Sequence, residues 1–189
     1  MIATVILAAG ASSRMGQAKQ LLKVHDKYIL EDLYNNLKSL SDDVFVISGC
    51  YYQLMSETFP KMQILRNKNW SIGMGSSIAF AVKNLQTQYS HILFSTCDQF
   101  LVKKKHYEKL INTSNQHPKK IIASMYNNSF GIPVIFPQQF YSELVLLTNK
   151  NFGAKNIIRK YQNQTICIPC NDASIDVDTP IDLKKYLDH

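Results

Sequence analysis

The stretch that decides the fold lies at the start of the chain, where residues 2–19 read IATVILAAGASSRMGQAK. Residues 2–7 form an apolar run of strand length. Because the run has no basic segment before it and a polar loop follows it, we interpret it as a buried strand rather than a signal peptide. The small residues at 8–13 let the backbone approach a ligand closely, and their N–H groups suit phosphate. Arg14 and Lys19 add two cations, so the loop predicts a polyphosphate site.

Further apolar runs of strand length alternate with segments of helical period along the rest of the chain. We predict strands at residues 2–7, 43–48, 63–66, 91–96, 121–126 and 133–136. We predict helices around residues 29–40, 52–58, 76–84, 104–115, 138–148, 153–161 and 180–187. This alternation favours a single α/β domain over residues 1–189, a three-layer Rossmann-like fold with a mostly parallel mixed sheet. In such sheets the ligand site lies beyond the carboxyl ends of the strands.

The composition excludes several classes of protein. With 189 residues, 46% hydrophobic and 19% charged, the chain has globular composition. A net charge of +7 favours anionic partners, but the basic residues are scattered without interleaved aromatics, so we predict nucleotides and phosphorylated metabolites rather than nucleic acid. No apolar stretch reaches the roughly 20 residues of a membrane span, and four cysteines are too few for a secreted disulfide scaffold. We therefore expect a cytoplasmic protein without membrane partners.

From Leu7 onward the first loop reads L-A-A-G-x-S-x-R-M-G-x-x-K, which resembles the nucleotide-binding motif of the MobA-like nucleotidyltransferases. That family includes molybdenum cofactor guanylyl- and cytidylyltransferases and enzymes that activate sugar and alditol phosphates. The resemblance implies Mg²⁺-dependent transfer of a nucleoside monophosphate from an NTP to a phosphorylated acceptor. It implies that the phosphates are held by Arg14 and Lys19, which act in catalysis. The implied nucleotide contacts of the loop are Leu7, Ala8, Ala9 and Gly10.

A second segment, N-x-x-W-x-x-G-M-x-S-S at residues 67–77, resembles the cytidylyltransferase branch of the family. In that branch the loop helps to form the base and acceptor pocket, which implies nucleotide contacts from Gly73, Ser76 and Ser77. Physically, two glycines ahead of two serines predict a flexible loop that ends at a helix N-terminus. We interpret Trp70 as a packing residue in preference to a stacking one.

Acidic residues in two places are candidates for the Mg²⁺ site. Asp98 follows the strand at 91–96, and Mg²⁺ prefers one or two carboxylates together with phosphate oxygens and water. The segment resembles the family's D-Q-P or D-M-P, whose Asp binds the catalytic metal, although Phe100 replaces the proline. Near the other end, residues 176–183 resemble the family's D-I-D-T-P-E-D-L segment. We favour Asp178 as the second ligand, with Asp176 as the alternative.

Two family segments are altered, and both lie in the half of the chain that the resemblance assigns to the acceptor. Ile132 replaces the histidine of a G-H-P-V segment. In a segment that resembles G-D-x-G-A-R, the acidic residue is missing and Lys155 replaces arginine. These changes leave the identity of the acceptor open.

The motifs nevertheless favour one nucleotide. The guanylyl branch has a glycine where this chain has Ala9, and the Gly-Met-Gly-Ser-Ser loop is typical of the cytidylyl branch, so the resemblance favours CTP. Molybdopterin is then the implied acceptor, with a molybdoenzyme as the partner that receives the product. A guanylyl- or other nucleotidyltransferase that uses a sugar or alditol phosphate remains an alternative, and so does a non-catalytic nucleotide-binding protein. Cys167 and Cys170 form a C-x-x-C pair, which we interpret as a buried strand-end pair with its redox role open.

Overall fold

A computed structural model describes residues 1–41, 43–175 and 182 of the chain. Its strands are β1 (Ile2–Ala8), β2 (Lys23–Val24), β3 (Lys27–Tyr28), β4 (Val44–Ser48), β5 (Gln63–Arg66), β6 (His91–Thr96), β7 (Ile121–Tyr126), β8 (Ser129–Pro137) and β9 (Thr165–Pro169). Its α-helices are α1 (Ile29–Lys38), α2 (Tyr52–Thr58), α3 (Met74–Leu85), α4 (Lys104–Gln116), α5 (Tyr141–Val145) and α6 (Lys155–Lys160). None of the helices in these described ranges is long and apolar enough to cross a membrane.

The main sheet contains seven strands in the order β5-β4-β1-β6-β8-β7-β9. Strands β5, β4, β1 and β6 are parallel, β9 is parallel to β7, and β8 runs antiparallel to both β6 and β7. Strand β1 is buried from Ala3 to Ala8, because both faces of a parallel sheet are covered and, apart from Thr4, its buried residues are apolar. The prediction of a mostly parallel mixed sheet is therefore confirmed.

Helices cover both faces of this sheet. Helices α3, α5 and α6 bury their apolar sides with β1, β6 and β8 in one core cluster. Helices α1, α2 and α4 form the second cluster on the opposite face. In α1, Leu30, Leu33 and Leu37 share one side at helical spacing and are at most 3% exposed. The loops that follow the parallel strands β1, β4, β5 and β6 all lie at one edge of the sheet, where a ligand site is expected.

The predicted bounds of β8 were wrong. The strand begins at Ser129 instead of residue 133, so Pro133 lies inside it. The pairing with β7 shifts at this point, since Ala123 pairs with Val134 whereas the next residue, Ser124, pairs with Gly131. Proline lacks an N–H donor, and the irregular register leaves it out of the regular ladder.

Several other elements also differ from the predictions. Strand β9 and the short β2–β3 hairpin were not predicted, and the predicted helix at 138–148 is divided into two 3₁₀ turns that flank the five-residue α5. Strand β9 contains Cys167, and Cys170 follows it, so the C-x-x-C pair does lie at a strand end. Of the predicted helix at 180–187, all but residue 182 lie outside the described residues, as do Asp176 and Asp178.

Candidate active site

A cavity of about 330 Å³ lies at the carboxyl ends of β1 and β6. Its walls come from the loop after β1, the segment before α3 and the loop after β6. The predicted site residues that line it are Leu7, Ala8, Ala9, Gly10, Arg14, Lys19, Gly73, Ser77 and Asp98. The sheet therefore brings together three motifs that are far apart in sequence, because parallel strands deliver their following loops to the same edge.

Gln20 anchors the first loop from beneath. It is 2% exposed, and its Nε2 donates to the carbonyls of Ala8 at 2.8 Å and Gly10 at 3.2 Å. Its Oε1 is buried and accepts no hydrogen bond from the described residues. Sequence analysis did not identify this residue, and only its position directly after Lys19 could have indicated it.

The neighbouring carbonyls are held in the same manner. Ala9 accepts from the N–H of Cys50 at 3.1 Å, and Ala11 accepts from the hydroxyl of Tyr51 at 2.9 Å. All four carbonyls at 8–11 are therefore committed to protein donors. In contrast, the N–H groups at 10–13 donate to no acceptor within the described part of the chain. Consecutive N–H groups without protein acceptors are available to bind an anion.

Two cations and one carboxylate complete this part of the site. Arg14 is exposed on the cavity wall. Lys19 is largely enclosed, with its side chain 12% exposed and its Nζ 3.9 Å from Oδ2 of Asp98, which is 30% exposed. The backbone N–H of Lys19 also donates to Oγ of Ser12 at 3.2 Å. Lys19 and Asp98 thus face the same space. Triphosphate oxygens bound there would neutralise the charge of the lysine, and a bound cation would neutralise the charge of the carboxylate.

The segment before α3 contributes the opposite wall. The helix begins at Met74, two residues before the predicted start, and Gly73 precedes it with φ +132°, a value that favours glycine. Ser77 lines the cavity, whereas the hydroxyl of Ser76 lies beneath the wall and donates to the carbonyls of Asn69 at 2.8 Å and Gly73 at 3.0 Å. The structure therefore places the two predicted serines differently.

Trp70 is a packing residue, as predicted, and it also borders the cavity. Its side chain packs against Gly49, where an added Cβ would collide with the tryptophan Cβ and Cγ. Ser12 and Ser13, which belong to the predicted ligand loop at 8–13, also line the cavity. The lining residues that sequence reasoning missed are Gln20, Ser71, Met74, Thr96 and Cys97. Burial, reinforced by the neighbouring Asp98 charge, raises the pKa of the Cys97 thiol, so this thiol is protonated at neutral pH.

A second cavity of about 200 Å³ adjoins the first, and both are lined by Met74, Thr96 and Asp98. Its remaining walls are mainly apolar and aromatic, with one amide and one cation: Gln99, Tyr126, Phe130, Gly131, Ile132, Gly153, Ala154, Ile158 and Lys155. Two of the altered family positions, Ile132 and Lys155, therefore lie here. Because Asp98 lines both cavities, its carboxylate can interact with a group that is transferred from one cavity to the other.

The loop that carries Asp98 is fixed by buried hydrogen bonds. Thr96 Oγ1 donates to Gln99 Oε1 at 3.0 Å, and Gln99 Nε2 donates to the carbonyl of Ala173 at 2.8 Å. Within residues 1–41 and 43–175, Asp98 is the one acidic side chain that lines either cavity, and no cluster of three metal-binding side chains is found there. A single hard carboxylate beside a polyphosphate loop fits Mg²⁺, which keeps water and phosphate oxygens as its other ligands.

The chain matches the MobA-like NTP transferase domain over residues 4–165 and therefore belongs to this family of nucleotidyltransferases. Among curated relatives, it is 22% identical to the molybdenum cofactor cytidylyltransferase of Escherichia coli (strain K12) over 181 residues, which cover 94% of this chain and 91% of that protein. The fold is similar to Rv0371c from Mycobacterium tuberculosis H37Rv, with a TM-score of 0.81, 21% identity and coverage of 100% and 97% of the two chains. Its complex with manganese gives a TM-score of 0.76 at 20% identity, with coverage of 99% and 98%.

Proposed function

We propose that this nucleotidyltransferase transfers CMP from CTP to molybdopterin, releases pyrophosphate, and passes its product to a molybdoenzyme. The observation that carries the proposal is the loop at 8–19, in which four carbonyls are bound to protein donors, four N–H groups are left for a ligand and two cations follow. Such a loop suits a triphosphate. The molybdopterin assignment rests on the motif pattern and on the 22% identity with the cytidylyltransferase.

In this proposal the nucleotide occupies the larger cavity. Its phosphates lie against the N–H groups at 10–13, and Arg14 and Lys19 balance their charge. The contacts to the nucleoside come from the remaining proposed residues, Leu7, Ala8, Ala9, Gly10, Gly73 and Ser77. Ser76 supports this wall from beneath, through its bonds to Asn69 and Gly73.

The chemistry is an in-line displacement. A phosphate oxygen of the acceptor forms a bond to the α-phosphorus, and the bond between that phosphorus and the bridging oxygen breaks, so pyrophosphate leaves with the electron pair. Asp98 would hold a divalent cation, Mg²⁺ in this proposal, together with Asp178 or Asp176. When bound, such a metal neutralises phosphate charge. Arg14 and Lys19 stabilise the charge that develops on the pyrophosphate.

The smaller cavity is the proposed acceptor site. Its aromatic and aliphatic walls fit a flat fused ring, and Lys155 supplies a positive charge for the acceptor's phosphate. The replacement of histidine by Ile132 in this wall leaves room for a second candidate, transfer to a sugar or alditol phosphate. The two candidates share the nucleotide chemistry and differ in what the smaller cavity holds.

Pyrophosphate release tests the proposal. We would incubate the protein with CTP, GTP, ATP or UTP and Mg²⁺, with and without molybdopterin, and repeat the series with Mn²⁺. Release that requires both CTP and the pterin is the expected result. Release with CTP and a sugar or alditol phosphate alone would favour the second candidate. A preference for GTP would contradict the cytidylyl assignment.

A further inference from the structure

Asn67 lies directly after β5 and beneath the wall of the larger cavity. It is 2% exposed, and its backbone N–H donates to the carbonyl of Ser48 at 2.8 Å. The N–H of Asn69 donates to Oδ1 of Asn67 at 3.0 Å. Because a backbone N–H can only donate, this bond fixes the orientation of the amide: Oδ1 faces residue 69 and Nδ2 faces α3.

The amide nitrogen then serves two serines of α3. Nδ2 of Asn67 lies 3.1 Å from Oγ of Ser76 and 3.1 Å from Oγ of Ser77, so its two hydrogens have two acceptors. The hydroxyl hydrogen of Ser76 is also committed, since it donates to the carbonyls of Asn69 and Gly73.

Ser77 differs from Ser76 in one respect. Its oxygen accepts from Asn67, but its hydroxyl hydrogen has no acceptor in the described residues. The side chain is 3% exposed and lines the cavity, so a ligand in the cavity is the natural source of that acceptor. A hydroxyl donor that is buried without an acceptor is unfavourable, and a ligand that accepts from Ser77 would relieve this cost.

We infer that Asn67 is a positioning residue that fixes Ser77 as a hydrogen-bond donor, so that the nucleotide presents an acceptor to Ser77. The inference rests on the proposed function, because it assumes that a nucleotide occupies this cavity. The pyrimidine ring of CTP carries acceptors of this kind, a carbonyl oxygen and a ring nitrogen. Asn67, which does not line the cavity, thus determines that Ser77 donates to the ligand instead of accepting from it.

The test measures nucleotide affinity without turnover. Trp70 is the only tryptophan and lines the cavity, so its fluorescence reports CTP binding directly. The decisive variant is Asn67→Asp, which keeps the acceptor for Asn69 and replaces the donor with a second acceptor. Ser77 would then donate to the carboxylate and turn its hydrogen away from the nucleotide.

We expect Asn67→Asp and Ser77→Ala each to raise the Kd for CTP about tenfold, and the double variant to raise it no further. Asn67→Ala should raise the Kd less than Asn67→Asp, because it leaves the Ser77 hydrogen able to rotate to the ligand. Asn84→Asp is the matched control: it makes the same substitution at an exposed position of α3 outside both cavities, and we expect a change in the Kd below about threefold. Thermal melts show which variants remain folded. If Asn67→Asp does not fold, Asn67→Ala is tested in its place: combined with Ser77→Ala, it should bind CTP no more weakly than Ser77→Ala alone, and a further rise in the Kd would overturn the inference.

Two results would overturn the inference. One is an unchanged Kd in Asn67→Asp, and the other is a set of effects that multiply in the double variant, as independent structural damage would. A wild-type protein that binds CTP but transfers nothing to any acceptor would overturn the proposed function and leave the role of Asn67 intact. A protein that binds no NTP would overturn both.

Discussion

At the scale of single residues, Asp98 is the group whose loss we expect to be most severe for the chemistry. Its carboxylate lines both cavities, where the proposed metal and the reacting phosphates meet. We expect Asp98→Asn to lower the rate of transfer on the order of 100-fold or more, because charge stabilisation at the transition state is lost. Pyrophosphate release measures this, with Asp172→Asn, which lies outside both cavities, as the control. Undiminished transfer in Asp98→Asn would contradict the metal assignment.

Gln20 should act on the nucleotide through the loop that it anchors. In Gln20→Glu both donors to the carbonyls of Ala8 and Gly10 are lost, and a carboxylate faces those oxygens instead. We expect the KM for the NTP to rise about tenfold and the free energy of unfolding to fall by about 1–3 kcal/mol. Steady-state kinetics and denaturant titration measure the two effects. Gln17→Glu adds the same charge on an exposed residue of the same loop and should change neither.

Lys155 should affect the acceptor alone. It lines the smaller cavity and not the larger one, so Lys155→Ala removes a cation from the proposed acceptor site. We expect the KM for the phosphorylated acceptor to rise at least about fivefold while the KM for the NTP stays within twofold. Lys150→Ala, an exposed lysine in neither cavity, is the control. A larger effect on the NTP than on the acceptor would reverse the assignment of the two cavities.

The sequence predicted which residues lie near the site better than it predicted the contacts that each side chain makes. The motifs indicated Ser76 and Ser77 together, yet adjacent helical residues point about 100° apart, so only one of them reaches the cavity. That choice depends on where α3 begins, and the helix starts at Met74, before the serines. Gln20 and Asn67 were not predicted, because their roles depend on carbonyl and hydroxyl groups that only the folded chain brings near them.

At the scale of elements, the start of α3 depends on one glycine. Gly73 has φ +132°, and a Cβ there would approach Cα of Asn151 to 2.6 Å. We expect Gly73→Ala to lower the free energy of unfolding by about 1–3 kcal/mol, from backbone strain together with the clash. The KM for the NTP should rise as well, because the same segment walls the larger cavity. Gly10→Ala is a useful comparison for stability, since a Cβ at Gly10 meets nothing within 4 Å. Equal melting temperatures for Gly73→Ala and the wild type would contradict the steric argument.

The elements that sequence reasoning missed share a physical cause. Strand β9 is an edge strand of five residues with four of them only half-buried, so it lacks the continuous apolar signal of β1 and β6. Strand β8 contains Pro133, which favours a strand start in the sequence, whereas a register shift in the pairing with β7 accommodates it in mid-strand. Both outcomes depend on the partner strand β7, and one sequence segment cannot reveal its partner.

At the scale of the whole molecule, the position of the site could be predicted although its shape could not. A buried β1 between parallel neighbours requires that the loops after β1 and β6 meet at one edge, and the alternating pattern predicted this much. The division into two cavities arises because β8 runs antiparallel beside β6 and brings residues 130–132 next to the Asp98 loop. The reversal of one strand is a property of the assembled sheet.

Nucleotide binding should stabilise the entire fold. The walls of the larger cavity come from segments between residues 7 and 98 that are attached to β1, β6 and α3, so unfolding any of these elements destroys the site. At a CTP concentration of 100 times Kd, linkage predicts about 2.7 kcal/mol of added stability. For a chain of this length that corresponds to a rise in melting temperature of about 5–10 °C. Differential scanning calorimetry with CTP and Mg²⁺ measures the rise, and Ser77→Ala should show a smaller one at the same concentration. An equal rise in the melting temperature of Ser77→Ala would show that CTP binding does not depend on the hydroxyl of Ser77 in the α3 wall.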